Sequence, residues 1–192
     1  MVKRFENKVV WVTGGGSGIG RALALQFAKE GASVAVSGRR EERLEEVVRA
    51  IEAAGGKGLA VRCDVTDEAS VAEAAQKIVR ALGGLDVAVA NAGFAVAGRI
   101  EKLSAADWRR QLDVNVIGAA MTARYALPYL RERKGRLALV GSVSSMMASP
   151  RFGAYTASKY ALRAIGQTLS AELHGSGVSC TTLHPGYIES EI

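Results

Sequence analysis

Six short apolar stretches alternate with five amphipathic ones along nearly the whole chain of 192 residues, and that alternation leaves few folds open. The apolar runs lie near 9–12, 33–37, 59–62, 85–90, 136–140 and 179–183. Between them, apolar residues recur at helical spacing over 18–29, 41–54, 68–81, 105–133 and 154–174. Short apolar strands separated by helices predict a parallel sheet covered on both faces, because each crossover helix must bury one face against the sheet. Right-handed crossovers then give an α/β, doubly wound arrangement whose ligands sit beyond the carboxyl ends of the strands. The chain is long enough for one buried core, and no linker, repeat or low-complexity tract divides it, so a single domain over 1–192 is expected.

The first strand runs directly into Thr13-Gly14-Gly15-Gly16-Ser17-Gly18-Ile19-Gly20, after which Ala22, Leu23, Leu25, Phe27 and Ala28 follow a helical period. Glycine permits a tight turn and close backbone approach, and the free N–H groups of a helix start attract an anion. A strand, a glycine loop and a helix in that order are what a phosphate cradle needs. The alternative is a plain connecting loop, which the flanking strand and helix disfavour.

Near the other end, Tyr155 is followed four residues later by Lys159, in the run Tyr-Thr-Ala-Ser-Lys. Residues four apart share a helix face, so an ammonium there lies beside the phenol and favours its ionised form. Such a pair gives and takes a proton. Taken alone, a Tyr and a Lys at this spacing are as readily surface residues of an amphipathic helix.

Together these residues resemble the short-chain dehydrogenase/reductase family. Gly14, Gly18 and Gly20 are similar to its T-G-x-x-x-G-x-G pattern, Asn91-Ala92-Gly93 to its N-A-G turn and Pro185-Gly186 to its P-G turn. Ala90 stands where the N-N-A-G form of the turn has a first Asn, a small departure. The resemblance implies a Rossmann-like nucleotide-binding fold and a catalytic tetrad of Asn115, Ser142, Tyr155 and Lys159. Ser142 is selected over Ser144 and Ser145 because the family's serine precedes its tyrosine by thirteen residues. Tyr155 would pass the proton, Ser142 would hold the reacting oxygen, and Lys159 would tune Tyr155 and bond the nicotinamide ribose. Asn115 would bend its helix and position a water for the lysine. Cofactor contacts are implied at Gly14, Gly16, Ser17, Gly18, Ile19, Gly20, Asp64, Val65, Asn91, Ala92, Gly93, Tyr155, Lys159, Pro185, Gly186, Ile188 and Ser190. The bland alternative for Asp64 is the approach to the next helix, where Thr66 and Asp67 are the better caps.

Cofactor choice is read from the end of the second strand, Val36-Ser37-Gly38-Arg39-Arg40. Folds that prefer NAD place a carboxylate there to bond the adenosine ribose. Here Gly38 holds that place and no carboxylate is available, whereas a guanidinium suits a phosphate. NADP(H) is therefore expected, with Arg39 the main contact to the 2′-phosphate and Arg40 or Ser37 in support; NAD(H) is the second choice. Arg39 and Arg40 as a solvated helix entry remain the alternative.

The formal net charge of +6 invites a nucleic-acid reading, but Arg39, Arg40 and Arg43 follow a strand while Arg131, Arg133, Lys134 and Arg136 cluster at a helix end, where cations offset the dipole. Aromatics do not interleave with either cluster. The two histidines, His174 and His184, are too scattered for a metal site. Cys63 and Cys180 fall in separate apolar segments and read as core thiols of a reducing compartment. The most apolar stretch, 112–130, contains Asp113, Asn115 and Arg124, so it is no membrane span. The expectation is a cytoplasmic oxidoreductase acting on a ketone or secondary alcohol. The other readings are an NAD-dependent alcohol dehydrogenase and a nucleotide-binding regulatory protein without turnover. Substrate identity is open, with Phe94, Val96, Met146, Met147, Phe152 and Tyr187 as apolar wall candidates. A homodimer or homotetramer is expected, because the helices at 105–133 and 154–174 carry more apolar residues than one stripe needs. Chains of the resembled family run on to a substrate lid and a further strand, so this sequence is expected to stop short of the natural C-terminus.

Overall fold

The computed structural model describes residues 3–186 and 188. A six-stranded parallel sheet forms its centre: β1 (Val9–Thr13), β2 (Ser33–Gly38), β3 (Lys57–Arg62), β4 (Val87–Ala90), β5 (Arg136–Val140) and β6 (Ser179–Leu183). The spatial order is β3-β2-β1-β4-β5-β6. The order reverses between β1 and β4, and a crevice opens there at the carboxyl ends of the strands.

Because side chains alternate across a strand, each strand feeds two cores. Val10, Val12, Val34 and Val36 pack with Leu44, Val47 and Ile51 under α1 (Gly18–Lys29) and α2 (Glu41–Ala53). Trp11, Ala35, Ala88 and Leu137 pack on the other face with α3 (Glu68–Leu82), α5 (Gly118–Arg133) and α6 (Gly153–Glu172). Trp11 is wholly buried, and its indole N–H donates to the Ser37 hydroxyl at 2.8 Å, which satisfies both groups. No helix among the described residues is long and apolar enough to cross a membrane. Cys63 and Cys180 are free thiols.

Several element ends shift by one or two residues from the sequence pattern, and two of the departures bear on how the chain is held together. The helix expected at 105–133 is three pieces: α4 (Ala105–Leu112), a π-helical turn at Asp113–Ile117, and α5. The π turn accommodates an extra residue and rotates Asn115 into the interior, where it is 1% exposed. The fourth strand begins at Val87 rather than residue 85. Asp86 is 7% exposed, and its carboxylate accepts the Val9 N–H at 2.9 Å and the Lys8 ammonium at 3.1 Å, tying the strand entrance to the start of β1.

Candidate active site

Thr13 ends β1 and acts as the junction of the crevice. Its hydroxyl accepts the N–H groups of Asn91 (3.0 Å) and Ala92 (3.2 Å) and donates to the Val89 carbonyl (3.3 Å). The Asn91 amide returns to the Thr13 carbonyl at 2.9 Å and that of Gly14 at 3.3 Å. The loops after β1 and β4 are thereby stitched together. Gly14 has φ +64°, and a Cβ there would come 2.9 Å from the Ala92 Cα; a Cβ at Gly20 would meet the Gly14 carbonyl and the Asn91 amide. The loop therefore lies as close as glycine allows, leaving the start of α1 open to a ligand.

At the other end of the crevice, α6 carries Tyr155 and Lys159 on one face. Lys159 is 5% exposed; its Nζ donates to the Val140 carbonyl at 2.8 Å and lies 5.6 Å from the centre of the Tyr155 ring. Burial pulls the Lys159 pKa down to about 8. Ser142 follows β5 and caps the 3₁₀ turn Val143–Ser145, its Oγ accepting the Ser144 N–H at 3.1 Å. That leaves its O–H to donate. Ser145 is fully buried and accepts the Ser142 N–H at 3.2 Å, a structural bond that separates it from the crevice. The loop is also tied to the end of β6, since Val143 N–H donates to Pro185 O at 2.9 Å and His184 Nδ1 lies 3.3 Å from Ser142 O.

Asn115 stands behind this face rather than in it. Its Oδ1 accepts the Phe94 N–H at 3.1 Å, and its Nδ2 donates to the Phe94 carbonyl at 3.0 Å and to Ser158 Oγ at 3.1 Å. Ser158 in turn donates to the Tyr155 carbonyl at 2.6 Å, so Asn115 is linked through one hydroxyl to the helical turn bearing Tyr155. The side chain is committed to the scaffold.

At the adenosine end, Arg39, Arg40 and Arg43 gather beside the glycine loop. Arg40 donates to Ser17 Oγ at 3.1 Å. A Cβ at Gly16 would meet the Arg43 Cβ at 3.1 Å, so Arg43 packs directly on the loop. Burial opposes ionisation of Asp64, but hydrogen bonds from the Thr66 N–H (3.0 Å) and hydroxyl (2.8 Å) and the nearby Arg39 guanidinium outweigh it and hold the carboxyl below its usual range. The next helix is capped by Asp67, which accepts the Ala69 N–H. Burial raises the Cys63 thiol to about 11.

One cleft of about 620 Å³ joins these groups. It is lined by Gly14, Gly16, Ser17, Gly18, Ile19, Gly20, Arg39, Arg40, Asp64, Val65, Asn91, Ala92, Gly93, Ser142, Tyr155, Lys159, Pro185, Gly186 and Ile188, all singled out from the sequence. Ser37 is the correction. Its hydroxyl is fully buried under Trp11 on the core side of the sheet, and what it offers the loop is its carbonyl, which accepts the Gly15 N–H at 3.1 Å. Phe94 and Phe152 also line the cleft, whereas Ser190 and Tyr187 lie outside the described residues. Sequence reasoning missed Arg43, which sits one helical turn beyond Arg39, and the buried supports Thr13, Gln111 and Ser158. Of these, Gln111 carried a signal, being a polar residue at an apolar position of its helix.

The sequence model of the short chain dehydrogenase family matches residues 8–192. A 3beta-hydroxysteroid dehydrogenase of Mediterraneibacter gnavus is 38% identical over 183 residues, covering 95% of this chain and 66% of its own length. The chain spans 62% of one further curated relative and 53% of another. Among solved structures, a short chain dehydrogenase/reductase from Burkholderia phymatum in complex with NAD superposes with a TM-score of 0.95 at 32% identity, covering 100% of this chain and 69% of that one. A short chain dehydrogenase from Burkholderia cenocepacia in complex with NADP gives 0.93 at 35%, covering 98% and 77%. With the match spanning nearly every described element, the chain belongs to the short-chain dehydrogenase/reductase family.

Proposed function

We propose that this chain carries the catalytic core of an NADP(H)-dependent oxidoreductase acting on a ketone or secondary alcohol. The observation that carries the reading is the convergence of Ser142, Tyr155 and Lys159 on the cleft whose far end is the glycine loop. The residues fit a dinucleotide: the cradle at Gly14 and Gly20 is one a Cβ would fill, and cationic side chains line the adenosine end. When bound, the cofactor supplies or takes the hydride. Tyr155 holds, at its phenol oxygen, the proton that the substrate oxygen gains on reduction. The Ser142 hydroxyl donates to that oxygen as negative charge grows on it. Lys159 stabilises the phenolate left behind, and its remaining N–H groups suit the hydroxyls of a ribose. Asn115, its side chain held by Phe94 and Ser158, keeps the role the resemblance gives it, positioning the water that would resupply Lys159.

The preference for NADP(H) rests on Arg39 beside Gly38, with Arg40 and Arg43 adjacent. The second reading is an NAD-dependent dehydrogenase, favoured by the nearness of Arg39 to Asp64, which draws the guanidinium toward a carboxylate. Free thiols at Cys63 and Cys180 support a reducing, cytoplasmic location. Exposed Ile117 and Tyr160, on the π turn and α6, support a homodimer or homotetramer, which sedimentation at micromolar concentration would test. The function itself is tested by titrating NADPH and NADH into the protein and following NADPH consumption over a panel of ketones. Neither binding nor turnover with any ketone would leave the fold as a scaffold without activity.

A further inference from the structure

The cleft has two chemically different ends. Among the described residues its charged lining side chains are Arg39, Arg40, Arg43 and Asp64 at the glycine-loop end, and Lys159 beside Tyr155. Beyond Tyr155 and Ser142 the lining turns to Phe94, Ala95, Ala97, Val143 and Phe152. The further polar side chains on that side are the hydroxyls of Ser144 and Ser149. Sheet order separates the two ends, since the first group follows β1 to β3 and the second follows β4 and β5.

The apolar end is built rather than incidental. The Gly98 N–H donates to the Arg151 carbonyl at 2.7 Å, and Gly98 pairs with Phe152 in an isolated parallel bridge, so the segments bearing the two phenylalanines run side by side. The Phe94 peptide is gripped by Asn115 and by the Gln111 amide, and the Arg110 guanidinium lies 4.6 Å over its ring. Phe152 stands edge-on to Tyr155 at 6.4 Å. These restraints fix an aromatic wall next to the proposed proton donor.

A ligand that enters such a site leaves water. A carboxylate or phosphate there would lose its hydration and meet Lys159 alone among the lining cations, while each hydroxyl of a polyol would need a partner that two serines supply in part. An apolar ring loses nothing by the transfer and gains contact with both phenylalanines.

We propose that the compound accepted by this site is an uncharged, largely apolar ketone or alcohol with a ring or branched group against Phe94 and Phe152, in preference to a sugar or a keto acid. This rests on the oxidoreductase reading above, with the substrate class as the new element. Ile188, 51% exposed, adds apolar surface to the cleft lining, and the exposed Met146 and Met147 follow the turn after Ser142 without lining the cleft.

The test compares three uncoupled chemistries, β-tetralone, dihydroxyacetone and levulinate, by equilibrium binding and by reduction, alongside a separate NADPH titration. Wild-type protein should bind β-tetralone at least about tenfold more tightly than either other probe. Phe152→Glu, at a side chain 37% exposed and therefore tolerant of change, should weaken β-tetralone binding by about tenfold or more while leaving NADPH affinity unaltered. Phe152→Ala should shift it in the same direction by less. Equal or tighter binding of dihydroxyacetone or levulinate, or unchanged β-tetralone affinity in both variants, overturns the proposal. Tight β-tetralone binding without NADPH binding or reduction overturns the oxidoreductase reading and leaves the apolar site standing. Reduction of the polar probes alone does the reverse.

Discussion

Gln111 and Asn115, four residues apart across the π turn, grip the same carbonyl: both side-chain amides donate to Phe94 O, at 2.7 and 3.0 Å. The Gln111 oxygen also accepts the Val96 N–H at 2.7 Å, so one fully buried side chain pins both ends of the three-residue stretch whose Phe94 and Ala95 line the cleft. Helical residues four apart share a face, and the π turn aims both amides at the passing loop.

Gln111→Leu keeps most of the volume but leaves the Val96 N–H without its acceptor. Stability should fall by about 1–3 kcal/mol, read from chemical denaturation. KM for the ketone should rise more than the NADPH dissociation constant, because the freed segment faces the substrate end. Equal increases in both would make Gln111 a general support of the fold.

Tyr155→Phe removes the phenol oxygen and keeps the ring against Phe152. Turnover should fall by about a hundredfold or more, the usual contribution of a positioned acid. NADPH binding should stay nearly intact, because one phenol contact is lost while Lys159 and the glycine loop remain. Turnover above about a tenth of wild type would assign the proton to another group.

The strand and helix order was legible because burial on both faces of a parallel sheet writes itself as apolar runs, and the glycine loop because Gly14 and Gly20 have no room for a Cβ. The break at Asp113–Ile117 leaves no mark in the periodicity or composition, because the helical period continues through it, and only the resemblance, by which Asn115 bends its helix, pointed to it. Ser37 misled for a related reason. Strand alternation points it at the core, a fact that its neighbour Arg39 obscured. Gln111 and Thr13 act through backbone atoms of distant loops, and such partners follow from topology rather than from local spacing.

Lys159 should leave a signature in the pH dependence of stability. Its pKa falls from 10.5 to about 8 on folding because burial disfavours the ammonium. Between those values the unfolded chain holds the extra proton, so the free energy of unfolding rises with pH across that window and is flat below it. The gap corresponds to on the order of 3 kcal/mol. Lys159→Met should abolish the rise and weaken NADPH binding. Denaturation midpoints at neutral pH and at about pH 10 compare the two proteins. A wild type no more stable at the higher pH would show the ammonium to be well solvated.

Cofactor choice turns on two adjacent positions. NADPH should be preferred to NADH, since a charged hydrogen bond contributes about 1.5–3 kcal/mol and one or two from Arg39 give roughly tenfold to several-hundredfold discrimination. Gly38 ends β2, and a Cβ added there would meet Leu44 Cδ2 at 3.6 Å, an ordinary contact, so a side chain fits without moving the backbone. Gly38→Asp combined with Arg39→Ile should therefore reverse the preference: the new carboxylate bonds a bare ribose and repels a 2′-phosphate. Arg40 and Arg43 remain in the double variant, so residual NADPH binding should exceed that of an enzyme without basic residues at this end. The measurement is kcat/KM and the dissociation constant for each cofactor in both proteins. Equal use of NADH and NADPH by the wild type would reduce Arg39 to a partner of Asp64, and the NAD-dependent reading would take its place.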